Sequence, residues 1–152
     1  GLTHTRRLEL SADGRSLSGE DALGTSSRAD QRRLARMVQK GGGDGVHFTL
    51  HFHLHPDAAA EVDPGGQMAW IGLRSGEVWV FRQDGMARLS LEPSAWLERG
   101  MPAPAATKQI VLAAVLIDYA GRVGWSLAKA PETPIALRDV ATEEDGPAEG
   151  EG

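Results

Sequence analysis

Residues 46–55, VHFTLHFHLH, hold His47, His51, His53 and His55 in strict alternation with Phe48, Leu50, Phe52 and Leu54. On an extended chain the i and i+2 side chains leave the same face, roughly 7 Å apart at about 3.4 Å of rise per residue. Three uses of such a histidine ladder follow from its chemistry. Two imidazoles can converge on one ion in the His-x-His manner of zinc sites, with a further ligand from another strand. His4, Asp57, Glu61, Asp63 and Glu77 are the candidates for that ligand, because three collinear strand histidines span too far to share one metal. The ladder can instead wall a cleft, meeting an anionic ligand or moving protons near neutral pH. It can also be a polar sheet face, with each His paired to Thr, Arg or Glu across the strands.

Other chemistries find less support. The Gly41-Gly42-Gly43-Asp44-Gly45 run lacks the Lys and the strand-to-helix setting of a phosphate loop. Ser11, Ser16 and Ser18 have no nucleophile-elbow context. Of the four tryptophans, Trp70, Trp79 and Trp125 sit in strand-like runs and read as core, whereas Trp96, in Pro93-Ser94-Ala95-Trp96-Leu97, reads as a loop residue that could contact a ligand.

The ladder needs a sheet to hold it, and the rest of the chain supplies one. Residues 3–10 and 16–23 flank Asp13-Gly14 and read as a hairpin. Residues 67–74, 77–82 and 86–92, separated by Ser75-Gly76 and Asp84-Gly85, read as a meander, and 107–117 with 122–129 as a closing hairpin. The expected fold is an all-β antiparallel sandwich over residues 1–130. Its expected core is Leu8, Phe48, Leu50, Phe52, Leu54, Trp70, Ile71, Trp79, Phe81, Leu89, Ile110, Leu112 and Trp125. Residues 24–45 read as a flexible polar insertion, within which DQRRLARMVQK could form a short basic helix with Ala29, Leu34 and Met37 or Val38 inward.

Composition bounds the partners. Sixteen Lys and Arg against 21 Asp and Glu give a formal charge of −5, which disfavours a nucleic-acid footprint. Five of the carboxylates lie in residues 141–152, the end of a Pro-rich and acidic tail (131–152) expected to be disordered. There is no Cys, hence no disulfide framework, and no apolar run long enough for a spanning helix. The start, Gly1-Leu2-Thr3-His4, enters a strand pattern at once and reads as a cut from a longer protein.

Several of these segments, in order, carry a family resemblance. THTRRLELSADGRSLSGEDAL, HFTLHFHLHPD, LRSGEVWVFR, LSLEPSAWLERG and TKQIVL resemble the C-terminal β-sandwich domain of bacterial heparinase II/III-like polysaccharide lyases over roughly residues 2–129. The most specific piece is Phe52-His53-Leu54-His55-Pro56. The resemblance implies a sandwich packed against an N-terminal α/α toroid, absent here, with the cleft for acidic polysaccharide, heparin/heparan-like or alginate-like, between them. It implies β-elimination beside a uronic-acid carboxylate, with this chain inactive alone. It makes His53 the candidate catalytic residue; His51 by its place on the ladder, His4 in Thr-His-Thr-Arg and Trp96 by its loop setting are the candidate substrate contacts. Some relatives carry a structural zinc, for which His55 matches the first ligand. The next strand here has no Asp and no His follows His55, so no metal ligand set is assigned and no cofactor is expected. The alternative is a free-standing carbohydrate- or metal-binding β module using the His face.

Overall fold

The computed structural model describes residues 1–100 and 102–131. Alternating sequence becomes nine strands and one helix: β1 (Leu2–Leu10), β2 (Ser16–Thr25), α1 (Arg28–Lys40), β3 (Val46–His53), β4 (Ala59–Val62), β5 (Met68–Gly72), β6 (Val78–Gln83), β7 (Arg88–Trp96), β8 (Ala105–Leu116) and β9 (Ala120–Lys129). All pairings are antiparallel. One sheet has six strands in the order β1-β2-β9-β6-β5-β4, and the other has three, β3-β8-β7. The sheets pack face to face as a sandwich, the architecture the alternation calls for. The disordered tail expected over 131–152 lies, apart from its first residue, outside the described residues.

The core joins Leu50, Leu89, Ile110 and Leu112 of the three-stranded sheet to Ala60, Ala69, Ile71, Phe81, Val123 and Trp125 of the six-stranded sheet. Phe48, Phe52, Leu54 and Trp79 pack against it half-buried. Two expected core residues are elsewhere. Trp70 alternates with the core residues Ala69 and Ile71, so it faces the opposite side of its sheet, beside its cross-strand partner Val80. Leu8 is 55% exposed. It lies at the margin of a six-stranded sheet that the three-stranded sheet is too narrow to cover.

Topology departs from the simplest reading at two connections. β5 and β6 form the expected hairpin, but β6 then pairs with β9, and β7 crosses to the second sheet to pair with β8. The turn that redirects the chain is fastened to β9: Asp84 N–H donates to Gly124 O at 3.0 Å, and Gly124 N–H donates to Asp84 Oδ2 at 2.7 Å. β8 and β9 are likewise not a hairpin, since they belong to different sheets. Strand β4 has no counterpart in the sequence reading.

More than half of the 24–45 segment is helix, the 13 residues of α1. Ser27 caps α1, its Oγ accepting from Asp30 N–H at 3.1 Å and donating to Asp30 Oδ2 at 2.7 Å. The helix stops where Gly41 N–H returns to Met37 O and Gly43 N–H to Val38 O, with Gly42 and Gly43 at φ of 101° and 92°. Leu34 is buried and Val38 half-buried, whereas Met37 is exposed and so is Ala29, which at 100° per residue lies on the far side of the helix from Leu34.

Gly19 of β2 is sterically required: a Cβ there would fall inside the indole of Trp125, its cross-strand partner in β9. Gly19→Ala is expected to cost about 1–3 kcal/mol by overpacking. Chemical denaturation with Trp fluorescence checks this, and an unchanged midpoint would contradict it.

Candidate functional site

Strand β3 positions the ladder by what it buries. Phe48, Leu50 and Phe52 point inward, and Phe52 meets Trp125 edge-on at 4.8 Å and Phe81 at 5.0 Å between ring centroids. Strand alternation then sends His47, Thr49, His51 and His53 to the outer face of the three-stranded sheet. His51 and His53 are exposed, with ring centroids 6.4 Å apart.

The two imidazoles are held differently. Gln109 of β8 donates through Nε2 to Pro93 O at 3.2 Å, which directs its Oε1 toward His51. An amide oxygen only accepts, so His51 Nδ1 donates to it at 3.1 Å, and Nε2 accepts from the Thr49 hydroxyl at 2.8 Å. Both nitrogens of His51 are engaged. His53 is anchored at one end alone, with Nδ1 2.7 Å from Ser94 Oγ on β7. Its Nε2 has no hydrogen-bond partner among the described residues. His53 is the member of the pair with a free nitrogen facing solvent.

His4 belongs to a different surface. On the inner face of the six-stranded sheet, Asp21 of β2 is fully buried and accepts from His4 Nε2 at 2.6 Å, Arg6 Nε at 2.8 Å and Trp125 Nε1 at 2.8 Å. The Arg6 guanidinium lies over the rings of Phe52, at 5.2 Å, and Trp125, at 5.8 Å. Burial pushes the Asp21 carboxyl up, but the three donors and the Arg6 charge outweigh it and hold the group below the usual carboxylate range. Arg6 shares the Phe52 ring, which faces inward, so His4 and Arg6 stand on the opposite side of β3 from His51 and His53.

His55 and Trp96 form a third group. Trp96 is the last residue of β7, paired with Ala105 and half-buried, where the sequence reading placed it in a loop. Its ring meets His55 edge-on at 5.0 Å, and its indole N–H is buried without a partner among the described residues. His55 Nδ1 accepts from Asp57 N–H at 3.2 Å, and the Asp57 carboxylate is paired with Arg74 at 3.1 Å. Zinc does not fit this donor set. One imidazole nitrogen is occupied, the nearest carboxylate is neutralised by a guanidinium, and among the described residues no three His, Cys, Asp or Glu side chains are grouped to hold a metal. Glu61, Asp63 and Glu77 do not join the ladder: Glu77 pairs with Lys129, and Asp63 caps its own turn through Gly65, Gln67 and Met68 N–H.

Thus His51 and His53 are neighbours on one face, Trp96 stands two residues beyond Ser94 on that same face of β7 and meets His55, and His4 is held on the other sheet. The residue that sequence reasoning missed is Asp21, with its donors Arg6 and Trp125. A usable signal was present: in SLSGEDAL, Leu17, Gly19, Asp21 and Leu23 share one strand face, and an Asp on an apolar face requires buried donors. Because its folded pKa is depressed, Asp21 contributes stability that is present above its unfolded pKa of about 3.9 and is lost as pH falls through the folded value. Asp21→Asn is therefore expected to lower Tm near pH 7, by roughly 6–12 °C for a loss of about 3 kcal/mol, and to flatten the acid limb of Tm against pH. Asp13, Asp30, Asp63 and Glu77 are also depressed and share that limb, so the measurement is the wild-type minus variant difference. A difference that does not shrink between pH 6 and pH 2.5 would contradict the assignment.

Comparison with known proteins identifies the family. Residues 1–126 match the family described as heparinase II/III-like, C-terminal. Over 131 residues, 86% of this chain, the sequence is 34% identical to FtsZ-localized protein C of Caulobacter vibrioides. The chain spans 21% of that relative's length. The antiparallel sandwich and the family match agree, and the chain belongs to the heparinase II/III-like C-terminal domain family.

Proposed function

We propose that this chain is the β-sandwich part of a polysaccharide lyase, forming one wall of a cleft for a uronic-acid-containing acidic polysaccharide that is cleaved by β-elimination. The α/α toroid implied by the family resemblance supplies the other wall, and the sandwich alone is inactive. The observation that carries this reading is the asymmetry of the ladder: His53 Nδ1 is fixed on Ser94 Oγ while its Nε2 is free and faces outward. With Nδ1–H donating to the serine hydroxyl, Nε2 presents a lone pair, as a general base requires. When protonated, the same ring neutralises a uronate carboxylate.

In this mechanism the proton α to the carboxylate leaves, charge builds on the carboxylate oxygens, and the 4-linked oxygen departs with the C4–O electron pair, taking a proton from an acid of the toroid, as the C4–C5 double bond forms. His53 takes the proton or offsets the developing charge. His51, with both nitrogens engaged, is a positioning residue that orders Gln109 and the sheet surface beside His53. The test uses the full-length protein and follows the ultraviolet absorbance of the unsaturated uronate. His53→Ala is expected to lower kcat by about 10²–10⁴-fold, and His51→Ala to have a smaller effect. Unchanged turnover in His53→Ala would overturn the role of His53. His53→Gln, which keeps a polar side chain on Ser94, separates loss of chemistry from loss of the surface.

A second reading rests on the relative called FtsZ-localized protein C, 34% identical over most of this chain. In it, the sandwich is a non-catalytic module of a protein that gathers with FtsZ. Co-sedimentation of the full-length protein with FtsZ polymers, together with no turnover of any uronate polymer, would favour it over the lyase.

A further inference from the structure

Strand β1 ends the six-stranded sheet, and all nine of its residues are exposed. The ladder shows which backbone groups it leaves unused. Ser11 N–H donates to Ser16 O at 2.8 Å, continuing the register in which Leu10 faces Leu17. In an antiparallel pair, hydrogen-bonded and non-hydrogen-bonded residues alternate. The odd-numbered residues of β1 therefore bond to β2, and Leu2, His4, Arg6, Leu8 and Leu10 turn N–H and C=O to the open side. On the other flank of β2, Lys129 N–H donates to Arg15 O at 2.9 Å, which is the phase this assignment requires. Long open edges are usually blunted by shortening, Pro or a bulge. The opposite edge of this sheet, β4, is four residues long, whereas β1 runs unbroken from Leu2 to Leu10 without Pro.

Alternation divides the side chains of β1 into two rows. Arg6 is on the inner face, bound to Asp21, and Leu8 and Leu10 follow it there at 55% and 66% exposure. Arg7 and Glu9 are on the outer face, and neither makes an ion pair with a described residue. Glu20, the cross-strand neighbour of Arg7, is paired with Arg122 at 3.4 Å. Opposite charges two residues apart on one face, with an apolar residue between them on the other, make a strand complementary to an antiparallel copy of itself.

We propose that β1 pairs with β1 of a second copy of this chain, antiparallel about a two-fold axis at Leu8, joining two six-stranded sheets edge to edge. In this register Leu8 meets Leu8 and Leu10 meets Arg6, and each of these positions offers outward N–H and C=O to exchange. On the outer face Arg7 of each copy stands opposite Glu9 of the other, two reciprocal ion pairs at the close spacing of non-hydrogen-bonded positions. The charges also select the register. Centring the axis on Arg6, Arg7 or Glu9 sets that charge against itself, and centring it on Thr5 pairs no opposite charges. An isologous contact of this kind closes at two copies. It leaves His51 and His53, on the other sheet, uncovered, and it does not depend on the polysaccharide reading.

The test combines sedimentation velocity with cross-linking, on the 152-residue chain and on the full-length protein. A reversible dimer is expected by roughly 10⁻⁴ M, the range of a small interface. The chain has no Cys, so Leu8→Cys introduces a single thiol. The axis holds it about 5.5 Å, Cα to Cα, from its own copy, within the span of a disulfide. Leu10→Cys lies more than about 13 Å from its copy, so Leu8→Cys is expected to link roughly tenfold faster or more. Arg7→Glu and Glu9→Arg are each expected to weaken the dimer roughly tenfold or more, and Arg7→Glu/Glu9→Arg to restore it. The double variant keeps its glutamate beside Glu20, so recovery reports the second copy and not the fold of β1. Thermal melts verify that each variant folds. A monomeric chain at that concentration, equal linking of Leu8→Cys and Leu10→Cys, or a double variant that stays dissociated would overturn the proposal. So would a full-length protein that remains monomeric with Leu8→Cys unlinked, which would assign the edge to another segment of the same protein.

Discussion

The structure is organised around one buried carboxylate. Asp21 has no contact with water, and an ionised carboxylate so placed persists only if its oxygens are fully supplied with donors. Two strands deliver them: β1 through His4 and Arg6, and β9 through Trp125. Each donor constrains something further. Trp125 reaches Asp21 by lying across Gly19, and its ring becomes the surface against which Phe52 packs edge-on. Arg6 then covers both rings. With Phe52 held inward, alternation leaves His51 and His53 outward. The direction of the histidine ladder is thus set from beneath, by a carboxylate on the other sheet.

A second constraint is the unequal width of the two sheets. Three strands cannot cover six, so β1 projects beyond β3 with its inner face partly open, which is why Leu8 and Leu10 are 55% and 66% exposed although they share a strand face with Arg6. An uncovered edge strand is an invitation to unwanted pairing. Here His4, Arg6 and Arg7 place polar and charged side chains along it, and the Asp21 cluster ties its centre down.

His51 and His53 illustrate how identical residue types two positions apart acquire different chemistry. Both project from one face of one strand, and both use Nδ1 for a contact within the sheet, His51 to Gln109 on the adjacent β8 and His53 across it to Ser94 on β7. The difference is that Thr49 sits two residues before His51 on the same face and takes its Nε2, whereas the residues two before and two after His53 are His51 and His55, neither of which hydrogen-bonds it. A hydroxyl spaced two residues away is enough to close one imidazole and leave the other open.

What the sequence determined by itself was the local code. The strict alternation of VHFTLHFHLH specified β3 and its two faces, Asp13-Gly14 specified the first hairpin, and DQRRLARMVQK carried a short helix, because these depend on residues within a turn or two of one another. Even the motif that identifies the family is of this kind. What only the tertiary structure decided were the relations between distant segments. That β6 pairs with β9, that β8 and β9 lie in different sheets, that Trp70 faces away from the core and Leu8 is left uncovered, and that His4 belongs to Asp21 while Trp96 belongs to His55 all depend on which strands become neighbours. Alternation states that a residue has a face, but it does not state what lies opposite that face. The partner is chosen by the global packing of the two sheets, where burying Asp21 with its donors and filling the space around Trp125 leave one arrangement of the edge.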